Sequence, residues 1–202
     1  MSSIKLTADS NGGTFELKAP ASSSNTRVLT LPDTANGTVL TTTSPKAGNI
    51  IQVISASKTD TFVTNSTSYT DITGLSVSIT PSSTSSKVLV MMECVVGVDN
   101  NVSAFLRMVR DSTAINVGDA AGSRIRATAG NGDDPSNQFP LQMSGVFLDS
   151  PATTSATTYK IQANTEASGN TGNIMINRAG TDADNNQHGR YASSITVMEV
   201  AG

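Results

Sequence analysis

The sequence predicts an all-β protein, an extended or β arm at the N-terminus followed by a β-sandwich, and three observations carry that expectation. Serine and threonine supply 54 of 202 residues; these small hydroxyl side chains suit strand faces and turns and compete with the helical backbone for hydrogen bonds. Nowhere do apolar residues recur with a helical period over about four turns. Short apolar pieces, several alternating strictly with polar residues, return at brief intervals between Gly, Asn, Asp and Pro clusters.

Residues 1–47 have a rhythm of their own. Ile4–Leu6, Phe15–Leu17, Val28–Leu31 and Val39–Leu40 are separated by turn-forming runs, and each is too short to build a core alone. Such a segment is expected to order on assembly, by docking on a neighbour or winding with copies of itself, with a disordered arm as the alternative. The bridge Thr41–Gly48, with Pro45 and Gly48, marks the boundary to a second region, 48–202.

Strands are then expected at Ile50–Ser57, Phe62–Val63 and Tyr69–Ile72. Leu75, Val77 and Ile79 alternate with Ser76, Ser78 and Thr80 as a half-buried strand. The stretch Lys87–Asp111 reads as a hairpin turning at Asp99–Asn101. In its first strand Val88, Val90, Met92, Cys94 and Val96 face one way, and Leu89, Met91 and Val95 face the other with Glu93 the only charge. A strand apolar on both faces must be covered on both. One face can meet a second sheet; a neighbouring subunit is the simplest cover for the other. Leu89, Met91, Glu93 and Val95 are therefore candidate oligomer-interface residues. Arg107, on the return strand, is a candidate too, and Arg107 and Arg110 fit an interface charge beside Glu93 or a receptor contact equally well.

Further strands are expected at Ala114–Val117, Arg124–Arg126, Phe139–Phe147, Tyr159–Ala163, Ile174–Asn177 and Ala192–Val200. Eight to ten short strands without helices suit a two-sheet sandwich such as a jelly roll.

Several function classes lose ground on composition. Charged residues are 14% of the chain and the net charge is −3, so there is no electrostatic footprint for nucleic acid or anionic lipid. No stretch is long enough to cross a bilayer, and membrane insertion is not expected. MSSIKLTADSNGG lacks the basic start and apolar run of a signal peptide, which points to assembly in a cytoplasm and gives the sequons at Asn36, Asn65 and Asn101 little weight. Cys94 is the only cysteine and sits in the apolar strand as a small core residue. His188 is the only histidine, and neither G-x-S-x-G nor a phosphate-binding glycine motif occurs, so an enzyme is not expected. Asp182-x-Asp184-x-Asn186 opens like a calcium loop, but Gln187 and Ser193 stand where the turn glycine and the bidentate Glu belong. No cofactor and no metal is assigned, although an irregular oxygen-ligated calcium site stays open.

Two polar loops combine amides, carboxylates, guanidinium groups and a ring in the manner of carbohydrate recognition. One holds Arg124, Arg126, Asn131, Asp133, Asp134 and Asn137; the other holds Asp182, Asp184, Asn185, His188, Arg190 and Tyr191. They are candidate receptor-binding residues, with ordinary solvated connections as the alternative.

The order LTADS, LKAPAS, RVLTLPD, NGTVL within residues 3–40 resembles the N-terminal segment of tail fibre and related structural proteins of tailed bacteriophages, marine and cyanobacterial phages especially. More loosely, LVMMECVVGVDNNVSAFLRMVRDSTAI, GVFLDSPATTSATTYKIQA and SSITVMEV resemble the trimeric heads of phage fibres, which share a fold with the complement C1q and tumour-necrosis-factor families. The resemblance implies a homotrimeric virion protein of the tail. Residues 1–47 would join it to the phage tail or other virion proteins, and the head would meet a host surface glycan or protein. A capsid decoration protein, a surface-glycan depolymerase and a secreted lectin-like module are the alternatives.

Overall fold

The computed structural model describes residues 3–7, 14–18, 45–99, 102–132, 139–166 and 172–202. Contacts divide the chain into two compact units, Met1–Val39 and Leu40–Gly202. In the first, β1 (Ser3–Thr7) and β2 (Thr14–Lys18) form an antiparallel pair with Ile4 opposite Leu17 and Leu6 opposite Phe15. The pieces expected at 28–31 and 39–40 lie outside the described residues.

The second unit is a sandwich of two antiparallel sheets, and its described residues contain no helix. The first sheet holds β3 (Ile50–Lys58), β13 (Ser193–Val200), β6 (Lys87–Val98) and β10 (Leu141–Asp149) in that order. On the β13 side of β6, the short β12 (Ile174–Ile176) pairs with the last residues of β6 and carries β4 (Phe62–Thr64) on its other edge. The second sheet runs β5 (Thr70–Ile79), β11 (Thr157–Thr165), β7 (Ala104–Arg110), with β8 (Thr113–Ile115) and β9 (Ala129–Asn131) sharing the far edge of β7. This all-β, jelly-roll-like arrangement is the fold class expected.

The core lies between the sheets. Val88, Val90, Met92, Cys94 and Val96 of β6 are fully buried against Leu75 and Ile79 of β5, Leu106 and Met108 of β7, and Tyr159 and Ile161 of β11. Period-two alternation explains the choice of face, since one side of each strand must be dry and the other need not be. In β5 the expected alternation holds from Leu75 onward, and Gly74 at φ +88° sits where the strand is irregular opposite Lys160–Gln162 of β11.

Two expectations are corrected. Lys87–Asp111 is not a hairpin. Strand β6 bonds to β13, β10 and β12, whereas β7 bonds to β11, β8 and β9, so the chain crosses from one sheet to the other between them. Both strands are apolar enough to be central, and a central strand finds its partners on both edges from elsewhere in the chain. Arg124–Arg126 is not a strand either; it lies in a loop, and the strand of that region is Ala129–Asn131.

Candidate functional site

Two surfaces carry the residues singled out above, one on the outside of each sheet. On the first sheet, Leu89, Met91, Glu93 and Val95 share the outer face of β6 as expected. The register then aligns neighbours from three other strands. Leu148 of β10, Leu89, Met198 of β13 and Val53 of β3 form one row across the sheet, and Val146, Met91, Thr196 and Ser55 form the next. Val53 is 54%, Val146 63% and Leu148 46% exposed, an apolar band across the sheet with the polar row Ser144, Glu93, Ser194, Ser57 beside it. A contiguous exposed apolar patch of this kind is often a functional surface of the protein that carries it. Val53, Val146, Leu148 and Met198 were missed in sequence. The signal was present, for β10 and β13, like β6, carry apolar residues at both parities.

Toward the far end of this face the backbone of Arg178 and Ala179 lies against Gly97, where a side chain would collide with it. That segment opens the second polar loop. Asp182 accepts from Arg190 Nη1 at 2.6 Å and lies 3.7 Å from Arg178 Nη1; the Arg190 hydrogen bond holds its carboxyl below the usual carboxylate range. Asn185 Oδ1 is 2.9 Å from His188 Nδ1 and accepts from the Gln187 backbone N–H, and Tyr191 donates its backbone N–H to the carbonyl of Asn177. Asp184 is exposed. Asp182 is thus committed to guanidinium groups, and among the described residues no three His, Cys, Asp or Glu side chains converge as metal ligands would.

Arg107 is not beside Glu93. It lies on β7, on the outer face of the second sheet, with its guanidinium 3.9 Å above the Tyr69 ring and its Nε donating to Gln162 Oε1 at 2.8 Å. The expected hairpin put it on the wrong sheet, since β7 pairs with β11 and not with β6. Burial raises the Tyr69 pKa, and its hydroxyl donates to the carbonyl of Arg126 at 2.7 Å. This bond ties the 116–128 loop to the sheet.

That loop is a strap closed on itself: Gly118 N–H bonds the Ala127 carbonyl, Arg124 N–H bonds the Ala121 carbonyl, and Gly122 takes φ +62° at the turn. Between the strap, Phe105 and β9 lies a cleft of about 550 Å³, within the range of small-ligand sites. Arg124, Arg126 and Asn131 all line it, together with Ser103, Phe105 and Asp119. Asn131 Oδ1 accepts from the Ala104 backbone N–H, and Gly130 packs against the Phe105 ring where a side chain would not fit. Asp133, Asp134 and Asn137 lie outside the described residues. The two polar loops are carried by different sheets, and among the described residues no hydrogen bond joins them.

No protein-family model matches the chain, and no curated protein matches it significantly. Among solved structures, the crystal structure of the infectious bursal disease virus VP2 subviral particle aligns at 13% identity and a TM-score of 0.37, covering 94% of this chain and 51% of that one. A structure of T=1 particles derived from the same virus aligns at 16% identity and a TM-score of 0.37, covering 98% and 44%. The chain spans about half the length of these proteins.

Proposed function

We propose that the chain is a virion structural protein, a tail fibre or fibre-like protein that attaches a bacteriophage to its host as a homotrimer. Residues 1–47 join it to the tail or to other virion proteins, and the sandwich contacts a surface glycan or protein by binding rather than by catalysis. The observation that carries self-association is the outer band of Val53, Leu89, Met91, Val146, Leu148 and Met198, which an isolated sandwich leaves in water. The N-terminal resemblance supports the phage tail and the number three. Multivalency supplies the mechanism: each head binds weakly, and linked copies raise the effective concentration for the next contact by orders of magnitude.

The reading is tested with antibodies against the purified chain. Gold label at the tail of intact particles, together with adhesion of fluorescent protein to host cells, is the expected result. Label spread over the capsid shell would replace it with a decoration protein. Release of reducing sugar from host envelope by the purified chain would replace it with a depolymerase.

A further inference from the structure

From the cleft between Phe105 and the 118–128 strap, we infer that this site binds the anionic group of an acidic sugar, a carboxylate or a phosphate. The inference rests on the reading of the chain as a surface-binding protein and names the chemistry of what it binds. Two guanidinium groups, Arg124 and Arg126, line the cleft, with Asp119 the carboxylate among the described lining residues. Arg126 donates its Nε to the Gly118 carbonyl at 2.6 Å and Arg124 its Nη1 to the Ala121 carbonyl at 3.3 Å. Both anchors are neutral carbonyls of the strap itself, so they orient the forks without neutralising them.

A planar fork held in this way matches the paired oxygens of a carboxylate or phosphate. The half-buried Phe105 ring offers an apolar platform for a sugar face, and Asn131, its Oδ1 occupied by the Ala104 N–H, carries amide N–H groups that suit hydroxyl oxygens. Tyr69 is a positioning residue: its bond to the Arg126 carbonyl, with Arg107 stacked on its ring, fixes the strap over the second sheet. The cleft and the apolar band belong to opposite sheets of the sandwich.

The full chain is titrated with D-glucuronate, glucose 6-phosphate and glucose, with binding read by saturation-transfer NMR. At least one anion is expected to bind with a Kd on the order of 1 mM, a weak site that multivalency amplifies, while glucose gives a far smaller signal. Binding of glucuronate alone assigns a carboxylate ligand, and of the phosphate alone a phosphorylated one. The double variant Arg124→Gln/Arg126→Gln should weaken the anion about tenfold with an unchanged melting temperature. Tyr69→Phe should weaken it less and be partly offset at higher ligand concentration. Glucose binding as well as the anions, anion binding unaltered in the double variant, or no binding at ten times the expected Kd would each overturn the inference. Host-cell adhesion is measured on the same samples. Adhesion without anion binding removes the cleft ligand alone, and anion binding without adhesion removes the attachment reading alone.

Discussion

Tyr159 donates its hydroxyl proton to Asp149 Oδ2 at 2.7 Å in the buried interior, joining the last residue of β10 in one sheet to the third residue of β11 in the other. Arg110 completes the link, with Nη1 2.8 Å from both carboxylate oxygens. Burial first, and then the Asp149 carboxylate, raise the Tyr159 pKa, so the phenol remains a donor at every physiological pH. Asp149→Ala removes the acceptor of both groups and should destabilise the fold by about 2–4 kcal/mol; Arg110 keeps a quarter of its side chain in solvent, which holds the figure below that of a fully buried pair. Tyr159→Phe, leaving the ion pair intact, should cost about 1–2 kcal/mol. Urea unfolding of the two variants measures the difference.

Asn177 closes the seam where β12 and β13 meet along one edge of β6. Its Nδ2 donates to the carbonyls of Lys58 and Asp60, its Oδ1 accepts from Ser193 Oγ at 2.6 Å, and Ser193 Oγ accepts from the Val95 N–H. The backbone takes φ +67°, which Asn tolerates better than most residues. Asn177→Ala loses the side-chain bonds and strains the backbone, an expected cost of about 3 kcal/mol. Asn177→Gly relieves only the strain and should recover about 1 kcal/mol of it. Thermal melts of the pair separate the two contributions.

The strands were legible because burial writes itself into alternation: β3, β11 and β13 lie within a residue or two of their expected ends, whereas Tyr69–Ile72 and Leu75–Ile79, expected as two strands, are one continuous strand, β5, that runs through Gly74. Which strands pair was less legible. Lys87–Asp111 has the pattern of a hairpin, yet pairing depends on which strands compete for each edge, and β13 and β10 outcompete β7 for β6. The candidate site was half visible for the same reason. Leu89 and Met91 announced an outer apolar face through the excess of greasy residues on one strand, but Val53 and Leu148 join them only through cross-strand register. The Arg124–Arg126 run looked like a strand because Ile125 interrupts two charges. Its actual role follows from Tyr69, 57 residues away from Arg126, which no local pattern reveals.

Glu199 is buried, and burial works against its ionisation. Gln52 Nε2 at 2.6 Å, Ser82 Oγ at 2.7 Å and the Ser82 backbone N–H at 2.7 Å outweigh that cost, leaving its pKa below the ordinary value of 4.5. A carboxyl with a depressed folded pKa stabilises the fold fully above its unfolded pKa and loses that contribution as pH falls through the folded one. Stability should therefore decline below about pH 4.5, with Asp71, held down by Lys160, contributing in the same direction. Glu199→Gln should flatten this acid limb while lowering stability at pH 7. Denaturant midpoints between pH 7 and pH 3 give the comparison.

Cys94 is fully buried, and desolvation pushes its thiol pKa up to about 12. A maleimide or disulfide reagent should leave the folded chain unlabelled at pH 7 and label one thiol per chain in urea, since the thiolate is the reactive form. Mass spectrometry of native and denatured samples reads this directly.

Self-association through the outer face of the first sheet is the centre of this account, and the molar mass of the purified chain in solution tests it most directly. Sedimentation equilibrium at micromolar concentration should give three times the chain mass of 20.8 kDa, and Leu148→Glu combined with Val146→Glu should reduce it to a folded single chain. A wild-type mass of one chain would contradict the account, as would an unaltered trimer in the double variant.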